Sequence, residues 1–274
     1  MLIKETLDER LYEYEVKLTE APMHARELAT EAVTQGTDLV VAIGGDGTLN
    51  EIAMPLLHSH TALAVVPGGS GNGFAMHLGL GRNMNHALRQ INTSKQITID
   101  TCTLNDHFYI NMAGVGFDAS IAFHTKDKST RGFAAYFNQS VKEALSYQNK
   151  TYKITTAEQV IEDKFLSINV ANASMFGYNF TIAPFANLRD GVLDLVMIKD
   201  ASKIQYILAV WRFLNKSIHK VPFVDITRTK NVTIECEEEM HFHIDGEGHV
   251  SDDTVTFEVV PRSLKLWVPA NHKS

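Results

Sequence analysis

The chain has 274 residues, of which 45% are hydrophobic and 21% are charged, and its formal net charge is −7. This composition is typical of a globular protein with an ample core, and the negative charge argues against a nucleic-acid binder. No apolar run approaches the ~20 residues of a membrane span, and the first residues contain no signal-peptide core. We therefore expect a cytoplasmic protein without a transmembrane segment.

The first third of the chain alternates predicted strands with predicted helices. In chain order these are a strand at 12–19, a helix at 23–34, a strand at 39–43, a helix at 49–58, a strand at 62–66, a helix beginning near 74 and a helix at 84–91. A strand–helix–strand unit places its two strands in parallel. This part is therefore predicted to be an α/β domain with a parallel sheet.

The pattern changes near Lys95, after which strands dominate. A hairpin of 97–104 with 108–112 is followed by helices at 119–124 and 134–146, by strands at 151–156, 165–172, 192–198, 224–228, 232–236, 241–244, 254–259 and 264–268, and by one helix at 203–217. Many short strands with tight turns indicate a β-sandwich-like domain. We place the boundary near 96, so that residues 1–96 and 97–274 form two domains around a cleft.

Two glycine-rich turns follow the predicted parallel strands. Residues 44–48 read Gly-Gly-Asp-Gly-Thr, and residues 67–73 read Pro-Gly-Gly-Ser-Gly-Asn-Gly. Glycine lets a ligand approach the backbone, and amides at a helix start bind anions. Asp46 would repel a phosphate by itself, so it is expected to bind a metal or accept a proton. Together the turns predict a phosphate site, although one such turn alone could be an ordinary strand-to-helix connection.

The motifs exclude several phosphate-binding classes, because the chain has no Walker sequence, no Gly-x-Gly-x-x-Gly and no protein-kinase catalytic loop. The chain instead resembles the diacylglycerol kinase catalytic-domain family. That family includes bacterial lipid kinases, sphingosine kinases and ceramide kinases, and is distantly similar to NAD kinases and phosphofructokinases. Five motifs in the family's order carry the resemblance, namely the two turns and residues 113–118, 183–194 and 244–247.

The resemblance implies an α/β nucleotide-binding domain like that of NAD kinase and phosphofructokinase, followed by a β-sandwich lipid-binding domain. It implies ATP- and Mg²⁺-dependent phosphorylation of a hydroxyl on a membrane lipid, either diacylglycerol-like or a sphingoid or other long-chain alcohol. Gly73 stands where many bacterial members have aspartate, which weakly favours the sphingoid alternative. The expected location is cytoplasmic and peripheral at the membrane, and a homodimer is left open.

Individual roles follow from the positions that match the family's motifs. The nucleotide phosphates would be lined by Gly44, Gly45, Gly47 and Thr48, and the nucleotide would also be contacted by Ser70 and Asn72. Asp46 would organise magnesium, Asp245 would be the general base on the lipid hydroxyl, and Glu247 would belong to the water–magnesium network. Asp118 would lie near the acceptor, and a second magnesium site would be formed by Asp190 with the backbone carbonyls of Asn187 and Val192. Phosphoryl transfer needs positioning and charge neutralisation, which glycine amides and Mg²⁺ supply.

Two alternatives to a lipid kinase stay open, one from a missing segment and one from the glycine–aspartate turn that NAD kinases share. The family's first strand and its Asn-Pro-x-Ser-Gly loop have no counterpart here, and we expect that roughly thirty residues of the pattern are missing. A non-catalytic nucleotide- or lipid-binding protein is the alternative that this absence favours. An NAD kinase-like enzyme is the other, although the second glycine turn and residues 245–247 argue against it.

Three further features have alternative explanations. His241, His243 and Asp245 alternate along a strand and could bind a transition metal, or the histidines could simply line the cleft. Residues 203–216 form an apolar-rich helix with basic ends that could rest on a membrane or pack on the sandwich. A basic cluster of Lys126, Lys128 and Arg131 could meet lipid headgroups or be solvated.

Overall fold

The computed structural model describes residues 2–125, 143, 146–251 and 253–272. The predicted helix at 134–146 lies outside these residues except for two positions, and the cluster of Lys126, Lys128 and Arg131 lies wholly outside them.

The first part of the chain is a parallel pair of strands covered by helices. Its elements are α1 (Leu2–Thr6), α2 (His24–Thr34), β1 (Leu39–Gly44), α3 (Asp46–Ala53) with a 3₁₀ turn at Met54–Leu56, β2 (Ala62–Pro67), α4 (Gly73–His77) and α5 (Met84–Ile91). Strand β1 pairs in parallel with β2 so that Gly44 lies opposite Pro67. Every residue of β2 is buried, as expected for a strand covered on both faces. The register places both glycine turns at the same edge of the sheet.

The predicted strand at 12–19 is wrong. No described strand pairs with this segment, and Val16 and Leu18 are 47% and 79% exposed. Alternating apolar residues stabilise a strand only when a neighbouring strand takes its hydrogen bonds and a core covers one face. Tyr12 packs against the core, but the segment has no partner strand among the described residues.

The rest of the chain is mostly β-structure. Its elements are β3 (Lys95–Leu104), β4 (His107–Tyr109), β5 (Met112–Gly116), α6 (Phe117–Thr125), β6 (Lys150–Thr155), β7 (Val160–Ala171), β8 (Met175–Gly177), β9 (Phe180–Thr181), β10 (Leu193–Lys199), α7 (Lys203–Leu214), β11 (Val224–Thr229), β12 (Asn231–Glu235), β13 (Met240–Ile244), β14 (Glu247–Ser251) and β15 (Thr254–Val268). A capping box between Ser202 and Gln205 begins α7. Most of the predicted strands are present, but β8, β9 and β14 were not predicted, and the strand predicted at 108–112 overlaps β4 and reaches only the first residue of β5.

The two strands predicted at 254–259 and 264–268 are one long strand, β15. Its first part pairs with β12, and its last part pairs in parallel with β2, where Leu266 lies opposite Leu63. Between Val260 and Leu264 its register with β3 shifts. Phe257 therefore belongs to the core of the β-rich part, whereas Leu266 belongs to the core under the helices. Because β15 runs through both parts, the proposed division at residue 96 stays a prediction.

Candidate functional site

The two glycine turns are in direct backbone contact. The amide of Gly68 donates to the carbonyl of Gly44 at 2.8 Å, and a Cβ placed on Gly69 would lie 2.5 Å from the Cα of Gly45. Only glycine allows an approach this close. Among the described residues no side chain caps the start of α3 at Asp46. The first amides of α3 therefore have no side-chain cap, as an anion site at a helix start requires.

Asp46 joins the first turn to the helix that follows the second. Its carboxylate accepts hydrogen bonds from the amides of Gly73 at 3.0 Å and Phe74 at 3.2 Å. Burial raises the pKa of Asp46, and these amide bonds oppose that rise. The amides of Asn72 and of Asp46 itself also favour the charged form, so Asp46 holds the two turns together within a shell of backbone donors.

Asn72 shapes the second turn from within. It has a left-handed backbone with φ of 55°, its Oδ1 accepts from the amide of Gly69 at 2.8 Å, and its Nδ2 donates to the carbonyl of Gly69 at 2.6 Å. Ser70, in contrast, is exposed. Contacts of Ser70 and Asn72 with a nucleotide stay predictions. The polar atoms of the Asn72 side chain are already hydrogen-bonded to Gly69 within the turn.

The turn between β13 and β14 brings Asp245 to this site. Asp245 and Gly246 both have positive φ, of 48° and 89°, as a two-residue hairpin turn requires. The Asp245 carboxylate accepts four hydrogen bonds, from Asn50 Nδ2 at 2.8 Å, from the amide of Ile110 at 3.1 Å, and from the amides of Asn111 and Met112 at 3.0 Å each. Asn50 lies on α3, so this network ties the β-rich part to the first glycine turn.

Asp245 and Glu247 occupy contrasting environments. Asp245 is only 8% exposed, and burial raises its pKa to about 6 despite its four donors. Glu247 is exposed. A Cβ atom added to Gly47 would lie 2.9 Å from Oε1 of Glu247. The missing Cβ of Gly47 thus leaves room for the Glu247 carboxylate over the first turn. Asp245 and Glu247, from one hairpin, therefore both lie against α3, the helix that begins at Asp46.

Asp118 lies in a buried polar network behind this turn. Its Oδ1 accepts from Ser167 Oγ at 2.7 Å, and its Oδ2 lies 3.1 Å from Nε2 of His243. Nε2 of His243 is also 3.1 Å from Oδ1 of Asn169, and its Nδ1 has no partner among the described side chains. His243 is 1% exposed. Asp118 therefore orients a buried histidine two residues from Asp245.

The residues of the His-x-His-x-Asp pattern have separate partners. The ring of His241 stacks on Phe123 with centroids 4.4 Å apart, His243 contacts Asp118, and Asp245 accepts from backbone amides. Across the described part of the chain, no group of three or more such side chains is arranged to hold a metal ion.

The second predicted magnesium site lies at Asp190. Its Oδ1 accepts from the amide of Val192 at 3.3 Å, and its Oδ2 lies 3.9 Å from Nη1 of Arg228. The side-chain oxygen of Asn187 accepts from the amide of Arg189 at 3.0 Å. One carboxylate with two backbone carbonyls is a donor set of the type that Mg²⁺ uses, but the guanidinium beside it would repel the ion. A magnesium site at Asp190, Asn187 and Val192 therefore stays a prediction.

The β8–β9 hairpin contributes a contact that the sequence did not predict. Gly177 forms a bridge with Asn72, and the ring of Tyr178 would lie 3.9 Å from a Cβ on Gly71. The guanidinium carbon of Arg82 lies 5.3 Å from the centre of the Tyr178 ring, which is cation–π geometry. A stacked arginine and tyrosine therefore border the second turn. Their separation of nearly a hundred residues leaves no local sequence signal.

Comparison with known proteins decides the family. A model of the diacylglycerol kinase catalytic domain matches residues 1–104, and a model of the YegS C-terminal NAD kinase beta sandwich-like domain matches residues 111–268. The chain belongs to the diacylglycerol kinase catalytic-domain family. The resemblance and the fold class, an α/β part with parallel strands followed by a β-sandwich, are thereby confirmed.

Several known proteins are similar to this chain over most of their length. A protein of Yersinia enterocolitica serotype O:8 / biotype 1B named "Probable lipid kinase YegS-like" is 27% identical over 267 residues, which are 93% of this chain and 87% of that protein. A crystal structure of a diacylglycerol kinase from Bacillus anthracis str. Sterne has a TM-score of 0.71 at 22% identity, covering 93% of this chain and 85% of that one. An NAD kinase from Archaeoglobus fulgidus, solved in complex with ATP, has a TM-score of 0.51 at 13% identity, covering 93% of this chain and 84% of that one. At these identities the two solved structures speak to the fold alone.

In the part of the chain that the structure describes, no helix combines the length and apolarity needed to cross a membrane.

Proposed function

We propose that this protein transfers the γ-phosphoryl group of ATP to a hydroxyl group of a membrane lipid. The observation that carries the proposal is the position of Glu247 against Gly47, beside a buried Asp245 that is hydrogen-bonded to Asn50 of α3. A proton acceptor from the β-rich part is thus next to the candidate phosphate site of the α/β part. The relatives named as lipid kinases support the same reaction class.

The nucleotide would bind at the two glycine turns. Amides at the uncapped start of α3 would take its phosphates, while the Tyr178 ring and Arg82 border the second turn. Asp46 in the first turn supplies carboxylate oxygen atoms, which are the donor type that holds Mg²⁺, and Glu247 over Gly47 would contact the ion through water. When bound there, the ion would neutralise charge that develops on the transferred phosphoryl group.

We assign proton acceptance to Glu247 and the positioning of the turn to Asp245. The sequence favoured Asp245 as the base, and its raised pKa suits that role. However, all four of its lone-pair directions are used by donors from Asn50 and the backbone of residues 110–112. An incoming hydroxyl would have to displace one of them, whereas Glu247 is exposed to the cleft.

The acceptor hydroxyl would approach from the side of Asp118. Asp118 is buried and bonded to His243 and Ser167, so it would act on the lipid head by fixing the polar wall beside the Asp245 turn. We place the protein in the cytoplasm, peripheral at the membrane, because its substrate is a bilayer component.

The proposal is tested by transfer of radiolabel from [γ-³²P]ATP, with Mg²⁺ present, to a panel of diacylglycerol, monoacylglycerol, sphingosine, ceramide and NAD. We expect label in one of the lipids. Label in NAD alone would instead support the NAD kinase-like alternative. Binding of ATP without transfer to any acceptor would support a non-catalytic nucleotide-binding protein.

A further inference from the structure

Helix α7 exposes a broad apolar face to solvent. Ile204, Ile207, Leu208 and Trp211 are spaced i, i+3, i+4 and i+7, and they are 70%, 70%, 71% and 67% exposed. We refer to these four residues as the α7 face. Isolated exposed apolar residues are common, but four large ones on one helical face mark an interaction site.

The opposite side of the same helix is packed. Ala209 is buried, and Tyr206 and Phe213 pack against the core cluster beneath the helix. A capping box at Ser202 fixes its start. The helix is thus anchored to the β-rich part by one side, so the two explanations considered for residues 203–216 are compatible. The α7 face is a stable surface that the fold presents outward.

The charge around α7 differs in sign from that of the whole chain. Residues 201–220 contain four cationic residues, Lys203, Arg212, Lys216 and Lys220, and no aspartate or glutamate, although the formal net charge of the chain is −7. A helix with an exposed apolar face, basic flanks and an exposed tryptophan is typical of segments that lie in the interface of a bilayer. The basic residues would be attracted to anionic headgroups.

The same charges disfavour binding of a second copy of this chain to the α7 face. In a two-fold symmetric dimer a patch faces itself, so four cationic residues would face four others. An anionic lipid surface complements both the apolar face and its flanks.

The position of α7 relative to the candidate site is consistent with this surface. Phe213 of α7 contacts the ring of Phe180 on β9, with centroids 6.2 Å apart. The hairpin of β8 and β9 carries Tyr178 at its tip, beside Gly71 of the second glycine turn. A bilayer held at α7 would therefore be next to the structural unit that borders the nucleotide turn.

We propose that the α7 face inserts at the headgroup level of an anionic bilayer and thereby holds the protein at its substrate. The link to catalysis rests on the proposed lipid kinase function, whereas membrane binding itself does not require activity.

The test is co-sedimentation of the full chain with vesicles of phosphatidylcholine, with and without phosphatidylglycerol, at low and high salt. The variant is Ile207→Ser combined with Trp211→Ser, and the matched control is Val160→Ser, which changes a 62% exposed apolar residue on β7. We expect the wild type and the control to bind phosphatidylglycerol vesicles. The double variant should bind at least ~10-fold more weakly, because two large apolar side chains are lost. High salt should weaken the binding of all three.

Several results would overturn the proposal. These are equal binding by the double variant, no binding by the wild type at low salt, or a wild-type dimer that the double variant converts to a monomer. A kinase assay on a short-chain lipid in detergent separates this proposal from the proposed function. In detergent the double variant should keep wild-type activity, and on vesicles it should lose that activity. If the wild type binds vesicles but phosphorylates no lipid, the α7 proposal stands and the proposed kinase function is refuted.

Discussion

Asp245 and Glu247 are two residues apart, yet the hairpin turn between them gives their carboxylates opposite surroundings. The left-handed backbone at Asp245 directs its carboxylate to the amides of residues 110–112, while Glu247 emerges over Gly47. The sequence predicted that both acids belong to the site. It could not predict which is saturated with donors, because Asn50 and Asp245 are 195 residues apart and their contact depends on the whole fold.

The donors around Asp245 predict a stability cost for Asp245→Asn. Asparagine has one acceptor oxygen, and its NH₂ group would face backbone N–H groups, so at least one buried donor loses its partner. We expect the free energy of unfolding to fall by about 1–3 kcal/mol for each unsatisfied donor. Urea denaturation measures this, with the exposed Asp106→Asn as control. Equal stability of the two variants would contradict the assigned positioning role.

The pKa of Asp245 predicts how stability depends on pH. The pKa of Asp245 is about 6 in the folded protein and ~3.9 in the unfolded chain. Between about pH 4 and about pH 6, Asp245 therefore binds its proton more tightly in the folded protein. Stability therefore falls as pH rises from about 4 to about 6, by up to roughly 3 kcal/mol, and is flat above that range. Asp46 and Asp194 have pKa values shifted in the same direction. The difference in stability between wild type and Asp245→Asn, measured across this range, isolates the Asp245 contribution, and a constant difference would argue against it.

At the scale of elements, the site depends on two turns whose backbones touch. Gly69→Ala would place a methyl group 2.5 Å from the Cα of Gly45, which the backbone can relieve only by moving. We expect a loss of about 1–3 kcal/mol in the free energy of unfolding, as for other overpacked positions. In Gly71→Ala the new atom would be 3.5 Å from Asp46 Oδ2, an ordinary contact, so this variant in the same turn is the matched control. A similar loss in both variants would mean that turn flexibility, and not the close approach, sets the cost.

The elements also show where sequence patterns predict structure and where they do not. The parallel unit of β1 and β2 was predicted because each strand is a continuous apolar run ended by glycine. The short strands β8 and β9 and the polar strand β14 carry no such pattern. Residues 12–19 alternate like a strand but have no described partner strand, and pairing is a property of the fold and not of the segment.

At the scale of the whole molecule, β15 links the two cores. Phe257 packs in one core and Leu266 in the other, and both side chains are fully buried. The motif order along the chain predicted two domains, but a shared strand could not be inferred from patterns that looked like two separate strands. The shared strand implies that the two cores unfold together.

Leu266→Ala tests this coupling. Removing a buried leucine side chain should lower stability by about 2–5 kcal/mol. Hydrogen exchange of β2 and β7, one from each core, should shift to the same lower denaturant concentration. Leu214→Ala, at a 41% exposed position of α7, is the control and should change little. Earlier exchange of β2 alone would show that the cores unfold independently.

The central claim is that the glycine turns hold a nucleotide while Glu247 accepts the proton of the lipid hydroxyl. The most direct measurement compares Glu247→Gln with Glu258→Gln, an exposed position on β15, for turnover on the phosphorylated lipid and for ATP affinity by calorimetry without Mg²⁺. The account predicts at least a ~100-fold loss of turnover in Glu247→Gln, unchanged ATP affinity, and wild-type behaviour of Glu258→Gln. Turnover of Glu247→Gln close to that of the wild type would contradict it.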